Sequence, residues 1–436
     1  MASEILYSWG PGESRLALVR DGRLVDLAVV RPELLAGAVL LGRVVELAPK
    51  MGAVFVDIGQ DKPGFLQGVK GLTQGQAVLV QVKADAQGLK GATLTTEVVL
   101  SGRFMSFTPM RPGLSVPRKL SDDRRGLLQE RLACMMGDDE GIVARLHAVN
   151  ADEPALEADL LALRGQWDQV CQSQGSARAP AVLWRPDPLD RMLSDHPGVS
   201  RVLVDDDLAF AQAQARLGAL VERHRDGSVF SLYDIEDAFA ACLAPVVALP
   251  CGGRVTFQGT AALTAIDVDS GPAAPIEANQ QAVSVIARQL RLRNIAGQII
   301  VDFVSAGGKG GLIKLIAALK QSISSDPTAT HVIGTTALGL VEMTRERRGP
   351  SLADLMVENT IVPSAEATAL RALRLVLSEA LHRPGRALIL DVAADVAAAL
   401  YARPAALAEI ESRLGRKPVI RTTAGLGRDD VVVSEG

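Results

Sequence analysis

The sequence predicts a multidomain protein of mixed α+β and α/β architecture, and three observations support this. The chain has 436 residues, well above the roughly 100–200 residues of one ordinary domain. Five short apolar runs follow one another between residues 38 and 97, which is typical of a small β-barrel. Beyond residue 183, apolar strands alternate with helical patterns, as they do in α/β folds.

The first segment, residues 1–37, is predicted to contain a β-hairpin. Asp21-Gly22 separates the apolar runs 15–20 and 23–27, and this dipeptide favours a tight antiparallel turn. The next segment is predicted to form a closed barrel of the OB type, because turn residues separate its short strands. These strands are expected at 38–47, 53–58, 64–66, 77–83 and 92–98.

The remaining elements are assigned from apolar periodicity. Between residues 98 and 180 we expect helices at 121–136 and 154–173, a strand at 141–149, and then a linker at 176–182. Further strands are expected at 201–204, 254–258, 262–268, 297–303 and 331–335, with helices at 207–222, 233–244, 277–293, 310–323 and 351–358. After Pro363, the tail 364–432 is predicted to be a compact αβ unit of helix, strand (387–390), helix, helix and strand.

Composition excludes several classes of protein. The hydrophobic fraction of 48% is too high for a disordered chain. No apolar run reaches the roughly 18 residues of a membrane helix, and no secretory signal is visible, so we expect no membrane span and a cytoplasmic location. Four cysteines without CxxC spacing argue for a reducing compartment and against a cysteine zinc site. The net charge of −4 is only a weak argument against nucleic acid, because binding depends on where charge lies.

Two apolar strands end in acidic residues and form the most informative pattern. One carries Asp267 and Asp269, and the other ends at Asp302. Carboxylates at neighbouring strand ends, joined by one helix, can converge on a hard cation such as Mg²⁺, which then polarises a phosphoryl oxygen and activates water. The alternative is that each aspartate only caps a turn or a following helix.

The predicted barrel carries aromatic and cationic residues that suit single-stranded nucleic acid. Phe55 and Phe65 lie there although aromatics make up only 3% of the chain, and Lys90 is one of several nearby lysines. Bases stack on aromatic rings, and phosphates contact lysine. Strand alternation places Phe55 with Asp57 on one face, which favours exposure of the ring over the alternative that it is core.

Two arginine clusters follow. Arg288 and Arg291 lie close together on one predicted helix, before the strand that ends at Asp302. Arg345, Arg347 and Arg348 form the second cluster. Either cluster suits RNA phosphates, and the alternative for both is an ordinary solvated charged face.

Taken together, these stretches resemble the ribonuclease E/G family of bacterial endoribonucleases, in nearly the family's order and over essentially the whole chain. The strings that carry the resemblance are GRVVELAPKMGAVFVDIGQDKPGFL, GLKGATLTT, GIVAR, LPCGGRVTF, ALTAIDVDSG, IARQLRLRNIAGQIIVDF, ALGLVEMTRERRGPSL and ALILDVAADVAAAL. The resemblance implies Mg²⁺-dependent cleavage of single-stranded, A/U-rich RNA to 5′-phosphate and 3′-hydroxyl ends, with one or two ions, in RNA processing or decay.

The resemblance also implies an architecture. It expects an RNase H-like subdomain (1–37 and 181–245) interrupted by an OB-fold RNA-binding barrel (38–97) and a 5′-sensor region (98–180). A DNase I-like catalytic subdomain (246–360) and a small C-terminal αβ domain (364–436) follow. By motif match, Asp267 and Asp302 fall on the metal-binding aspartates, Phe55, Phe65 and Lys90 on RNA-contacting residues, and Arg145 on the 5′-phosphate pocket.

Four departures qualify this expectation. Asp269 stands where the family usually has Asn; a carboxylate only accepts hydrogen bonds, so this candidate catalytic residue either tightens cation binding or repels the substrate and lowers the rate. Leu146 stands where the family has Thr, so we expect weakened 5′-monophosphate sensing. The loop 272–276 is shortened, and no cysteine follows SLADLMVEN, where the family's shared zinc link lies. We therefore expect no zinc and a monomer or a dimer without a zinc link. These departures keep a second hypothesis open, a catalytically weak or inactive RNA-binding paralogue, although retention of Asp267 and Asp302 favours the nuclease.

Overall fold

The computed structural model describes residues 3–87, 90–305, 308–358 and 363–436. It divides into two compact units, Met1–Val357 and Glu358–Gly436. Helices and several separate sheets occur together, which confirms the predicted mixed α+β class.

The chain begins with three antiparallel strands, β1 (Ser3–Gly10), β2 (Glu13–Arg20) and β3 (Arg23–Val30). The predicted turn between β2 and β3 is confirmed, since Asp21 and Gly22 both have positive φ, at 49° and 73°. Strand β1 is absent from the predicted elements. Its residues 3–6 are all buried because it is a central strand, so its sequence lacks the alternation that identifies a half-exposed strand.

The next five strands form the predicted closed barrel, with the order β4-β5-β6-β8-β7 and a further pairing of β7 with β4. They are β4 (Val39–Ala48), β5 (Ala53–Asp57), β6 (Gly64–Gln67), β7 (Ala77–Ala84) and β8 (Thr93–Thr95). Val54, Val56 and Leu66 fill its interior. Gly64 permits close packing there, because a Cβ at this position would lie 2.5 Å from Leu94 Cδ1.

A four-stranded sheet with two helices follows. Its elements are β9 (Leu100–Ser101), β10 (Met105–Phe107), β11 (Gly113–Ser115), α1 (Asp122–Met135), β12 (Gly141–Ala144) and α2 (Glu153–Ser176). The prediction of a strand at 141–149 is wrong in its second half, where Leu146–Asn150 form a 3-10 helix. The Ala148 amide donates to the Arg145 carbonyl there, and this local bond replaces a strand partner.

The chain then returns to both earlier sheets. Its next elements are β13 (Ala181–Trp184), α3 (Pro188–Asp195), β14 (Arg201–Val204), α4 (Asp207–Leu217), β15 (Val221–Arg223) and α5 (Ile235–Ala241). The predicted linker at 176–182 runs into β13, which pairs with β4. Strands β14 and β15 extend the first sheet to the order β15-β14-β1-β2-β3. The predicted helix 207–222 ends at Leu217, because Gly218 adopts φ 58° and ψ −130°.

The last part of the first unit is a six-stranded sheet with the order β16-β17-β18-β19-β21-β20. Its elements are β16 (Val246–Ala248), β17 (Arg254–Gly259), β18 (Thr264–Asp269), α6 (Pro275–Leu292), β19 (Gly297–Asp302), α7 (Gly308–Ile323), β20 (Thr330–Thr335), β21 (Val341–Arg345) and α8 (Leu352–Met356). Helices α6 and α7 cover one face, where Ile266, Ile286 and Val301 share a core. The other face carries exposed polar side chains.

The second unit is a three-stranded sheet with three helices. It contains α9 (Ala365–His382), β22 (Leu388–Val392), α10 (Ala394–Tyr401), α11 (Pro404–Leu414), β23 (Val419–Thr422) and β24 (Val431–Glu435). The short, mostly exposed β23 is absent from the predicted element order. Hydrogen bonds from Arg421 and Thr423 lower the pKa of Asp391 to about 2.

In the described parts of the chain, no helix is long and apolar enough to cross a membrane.

Candidate functional site

Two predicted aspartates meet at one end of the six-stranded sheet. Strands β18 and β19 are parallel neighbours, and Asp267 pairs in register with Asp302. Neighbouring strands lie about 4.8 Å apart, so both carboxylates start from adjacent backbone positions on the same face. Helix α6 connects the two strands, as the sequence analysis expected, and the crossover brings residues 35 positions apart together.

Both carboxylates belong to the open face of the sheet. Asp267 and Asp302 are exposed, whereas Ile266, Val268 and Val301 point into the core. Neither carboxylate accepts a hydrogen bond or forms an ion pair among the described residues, so neither caps a turn or helix there. Alternation along each apolar strand turns both side chains towards solvent.

This arrangement fits a hard cation held by few protein ligands. Across the described ranges, no group of three or more His, Cys, Asp or Glu residues is placed to hold a metal. Mg²⁺ is commonly held by one or two carboxylates, with water and phosphate completing its octahedron. Two adjacent carboxylates without other partners therefore satisfy its protein-side requirement.

Asp269 lies two residues after Asp267 on β18 and, unlike Asp267, its carboxylate has partners. Its carboxylate forms a 2.6 Å ion pair with Arg254, the residue directly opposite on β17, and also accepts the Gly271 amide at 2.8 Å. Asp269 therefore caps the turn that follows β18. Arg254 was not identified as a site residue from the sequence, where nothing marked its position opposite an acid.

Two glycine-containing turns pack against each other beside this pair. A Cβ on Gly253 would lie 2.5 Å from the Asp269 carbonyl, and one on Gly271 would lie 2.6 Å from the Gly252 carbonyl. The close approach fixes the end of β18 and the shortened loop that leads to α6. On the other side, the buried amide of Asn279 donates to the Val304 carbonyl at 2.7 Å and accepts its N–H at 3.1 Å. Asn279 therefore holds the segment that follows Asp302.

The barrel presents its predicted aromatic pair on its outer surface. Phe55 and Phe65 are cross-strand partners with ring centroids 5.8 Å apart in an edge-to-face arrangement. Both are partly exposed, and Val54 and Val56 point inward, which confirms the predicted alternation. Exposed Lys90 lies near the start of β8, beside β6.

Arg288 and Arg291 are separated by their contacts. Arg288 donates to the Leu24 carbonyl in β3 at 3.1 Å and thereby ties α6 to the first sheet. Arg291 lines a partly open cavity, and its buried Nε has no hydrogen-bond partner. Only Arg288 is exposed, and its guanidinium is already bonded.

Arg145 occupies a strongly charged setting. Its guanidinium lies 3.8 Å from Asp195, and burial lowers its pKa. Asp195 also pairs with Arg348 at 3.0 Å. Leu146, at the position where the resembled family has Thr, is 48% exposed.

The second arginine cluster is structural and not a solvated face. Arg345 is buried and forms an ion pair with equally buried Asp326 at 2.9 Å. Arg347 donates to the Ala296 carbonyl, and Arg348 to the Pro327 carbonyl. The region where the sequence analysis noted missing cysteines begins at residues 360–362, which lie outside the described residues.

Comparison with known proteins gives consistent matches. The family model described as Ribonuclease E/G family matches residues 99–348. A protein named Ribonuclease E from Nostoc sp. is 31% identical over 378 residues, which are 78% of this chain and 55% of that protein. Ribonuclease G from Escherichia coli strain K12 is 29% identical over 401 residues, 82% of either chain. A Ribonuclease E from Synechocystis sp. is 30% identical over 372 residues, 76% of this chain and 55% of that protein. The chain thus spans about half the length of the ribonuclease E relatives.

Proposed function

Because the chain belongs to the ribonuclease E/G family, we propose that it is an Mg²⁺-dependent endoribonuclease that cuts single-stranded, A/U-rich RNA. Cleavage would leave 5′-phosphate and 3′-hydroxyl ends and serve RNA processing or decay in the cytoplasm. The observation that carries this proposal is the register pairing of Asp267 with Asp302 on an open sheet face.

We assign the sheets to the family's architecture on the same basis. The sheet β15-β14-β1-β2-β3 would be the RNase H-like subdomain, interrupted by an OB-fold barrel and by a 5′-sensor region around β9–β12. The six-stranded sheet would be the DNase I-like catalytic subdomain, and the second unit the small C-terminal domain. The barrel's strand order, with β6 and β8 parallel, supports the OB assignment.

In the proposed mechanism, Asp267 and Asp302 would hold the metal. When bound, Mg²⁺ supplies a Lewis acid for a phosphoryl oxygen and lowers the pKa of water. Asn279 is a positioning residue, since it fixes the backbone two residues beyond Asp302. Arg254 offsets the charge of Asp269, so that a third carboxylate repels the phosphodiester less.

RNA contacts remote from the reacting phosphate would come from the barrel. Phe55 and Phe65 provide a platform on which bases stack, and Lys90 contributes a cation for the backbone. A contribution from Arg288 would require phosphate to share its guanidinium with the Leu24 carbonyl.

The defining experiment incubates purified protein with a 5′-labelled, A/U-rich single-stranded RNA, with Mg²⁺ and with EDTA. We expect internal cuts that require Mg²⁺ and whose downstream fragments accept ligation through a 5′-phosphate. RNA that is retained on the protein but not cut at any Mg²⁺ concentration would instead support the inactive RNA-binding paralogue. Asp269, Leu146 and the shortened loop are the observations that keep this second candidate in view.

Phe55→Ala is expected to weaken RNA binding without unfolding the protein. Loss of one stacked base costs about 1–3 kcal/mol of binding free energy, and the ring lies outside the barrel core. Fluorescence anisotropy with a short labelled RNA measures the change. Tyr401→Ala, which removes a 61% exposed ring from the second unit, is the matched control and should bind normally. Equal affinities for all three proteins would remove Phe55 from the RNA surface.

Arg254→Ala is expected to lower kcat/KM for cleavage by about fivefold, or ~1 kcal/mol for one exposed charge pair. The loss arises because Asp269 is left to repel the substrate phosphate. In the Arg254→Ala/Asp269→Asn double variant, the rate should return towards that of the unaltered protein. A double variant no faster than Arg254→Ala alone would show that charge compensation is not the role of Arg254. Initial rates at low salt give the clearest comparison, because screening weakens exposed pairs.

Two further proposals concern regulation and assembly. We expect little stimulation by a 5′-monophosphate, since Leu146 offers no hydroxyl and Asp195 already lies beside Arg145. Cleavage rates of 5′-monophosphate and 5′-hydroxyl versions of one RNA measure this stimulation directly.

For assembly we propose a monomer or a dimer without a zinc link, which light scattering with and without chelator would distinguish from a metal-linked dimer.

A further inference from the structure

A partly open cavity of about 540 Å³ lies at the junction of the first sheet, the barrel entry and the end of α6. Much of its wall is apolar and includes Leu27, Leu35, Met192 and Leu292. Asn294, which also lines it, precedes β19, whereas Asp302 ends that strand. Six extended residues span about 20 Å, so the cavity is separate from the candidate catalytic carboxylates.

Several charged groups in the wall already have partners. Arg345 pairs with Asp326 at 2.9 Å, and Arg31 with Glu13 at 2.8 Å. Arg348 pairs with Asp195, while Arg185 donates to the Pro32 carbonyl at 2.5 Å. These pairs stabilise the cavity wall. Two further arginines of the wall have no such partner.

Arg191 and Arg291 are those two. In the part of the chain that the structure describes, neither guanidinium forms a hydrogen bond or an ion pair, and Arg291 Nε is fully buried. Burial lowers the pKa of Arg191, and nearby Arg348 acts in the same direction. Both side chains are half-buried, and a cation partly withdrawn from water without a close partner is costly.

The acids near Arg191 do not supply that partner. Asp26 accepts from His196 at 2.6 Å, and Asp195 serves Arg348 and Arg145. Asp85 accepts the Leu35 amide at 2.6 Å, and its Oδ2 is buried without a partner. Burial raises the pKa of Asp85.

We propose that this cavity binds a small organic phosphate of the nucleoside monophosphate class, with the phosphate on Arg191 and Arg291 and the apolar body against the leucine-rich wall. Planar guanidinium groups bind phosphate in bidentate fashion. The volume lies within the 300–1,000 Å³ of small-molecule sites and exceeds what inorganic phosphate fills, which favours a ligand with an apolar body.

The test titrates full-length protein with AMP by calorimetry and follows its Tm. We expect one binding site per chain and a raised Tm, with adenosine and inorganic phosphate each binding at least tenfold more weakly than AMP. Absence of AMP binding up to millimolar concentration would overturn the proposal. So would equal binding of AMP and inorganic phosphate, because the apolar wall would then contribute nothing.

Arg191→Met and Arg291→Met separate a ligand site from a structural role. Each variant should bind AMP at least tenfold more weakly, while its Tm without ligand stays equal or rises, since an unpaired buried cation has been removed. Lower unliganded stability with unchanged AMP binding would show that the arginines are structural. Arg225→Met, an exposed arginine outside the wall, should bind AMP normally. If Phe55→Ala abolishes AMP binding, the nucleotide occupies the barrel surface and the cavity proposal fails.

Discussion

Replacing Asp302 with Asn should lower the rate of RNA cleavage by about 10²–10³-fold, the typical loss when one charge-stabilising group is removed from an active site. The substitution keeps the size of the side chain but removes a negative charge from the candidate metal position. Asp302 has no hydrogen-bond or ion-pair partner among the described residues, so the fold should not suffer. RNA affinity should be retained or slightly increased, because a carboxylate that repels phosphate is lost.

Single-turnover cleavage and anisotropy, measured on the same RNA, test this expectation. Asp267→Asn should behave in the same way, since it is the register partner of Asp302. Asp226→Asn removes an equally exposed carboxylate from another part of the surface and serves as the control. Full cleavage activity in either Asp302→Asn or Asp267→Asn would refute their assignment as metal ligands. Parallel loss of RNA binding would show that these residues act in binding instead.

Replacing Arg345 with Met should destabilise the first unit by about 3–5 kcal/mol, the usual cost of removing one partner from a buried ion pair. The side chains of Arg345 and Asp326 are both 2% exposed, and the guanidinium also donates to the Ile295 carbonyl at 3.0 Å. The variant therefore leaves an uncompensated carboxylate in the protein interior.

Urea unfolding followed by circular dichroism measures this loss. In the Arg345→Met/Asp326→Leu variant much of the stability should return, because the unpaired charge is gone. Arg254→Met provides the comparison with an exposed pair and should cost at most ~1 kcal/mol. If Arg345→Met and Arg254→Met unfold at the same urea concentration, the Arg345–Asp326 pair does not stabilise the protein as a buried ion pair.

Local patterns were sufficient to predict much of the fold. The Asp21-Gly22 turn and the outward position of Phe55 can be predicted from short stretches of sequence, because backbone φ and the face of a strand depend on adjacent residues. Strands β1 and β13 were missed because their identity depends on distant partners, β14 and β4. Pairing of residues far apart in sequence leaves little trace in a single chain.

The candidate site shows the same division. Asp267 and Asp302 were identified because each ends an apolar strand, and the connecting helix predicted that they would meet. Arg254 was not identified, since only the antiparallel register of β17 places it opposite Asp269. The sequence does not indicate that Arg345 is buried, because its burial depends on Asp326, a residue outside its own motif.

The position of Asp195 has a consequence for how an RNA end would be recognised. Its carboxylate lies between Arg145 and Arg348 and occupies the place that an external anion would take at Arg145. If Arg145 receives the terminal phosphate, as we propose, Asp195 would compete with that phosphate. An incoming phosphate gains only the difference between its own attraction and that of the carboxylate it displaces, and this displacement frees Arg348 from one of its partners. End recognition at Arg145, as we propose it, would thus be an exchange reaction between two anions, and its strength would be set as much by Asp195 as by the RNA.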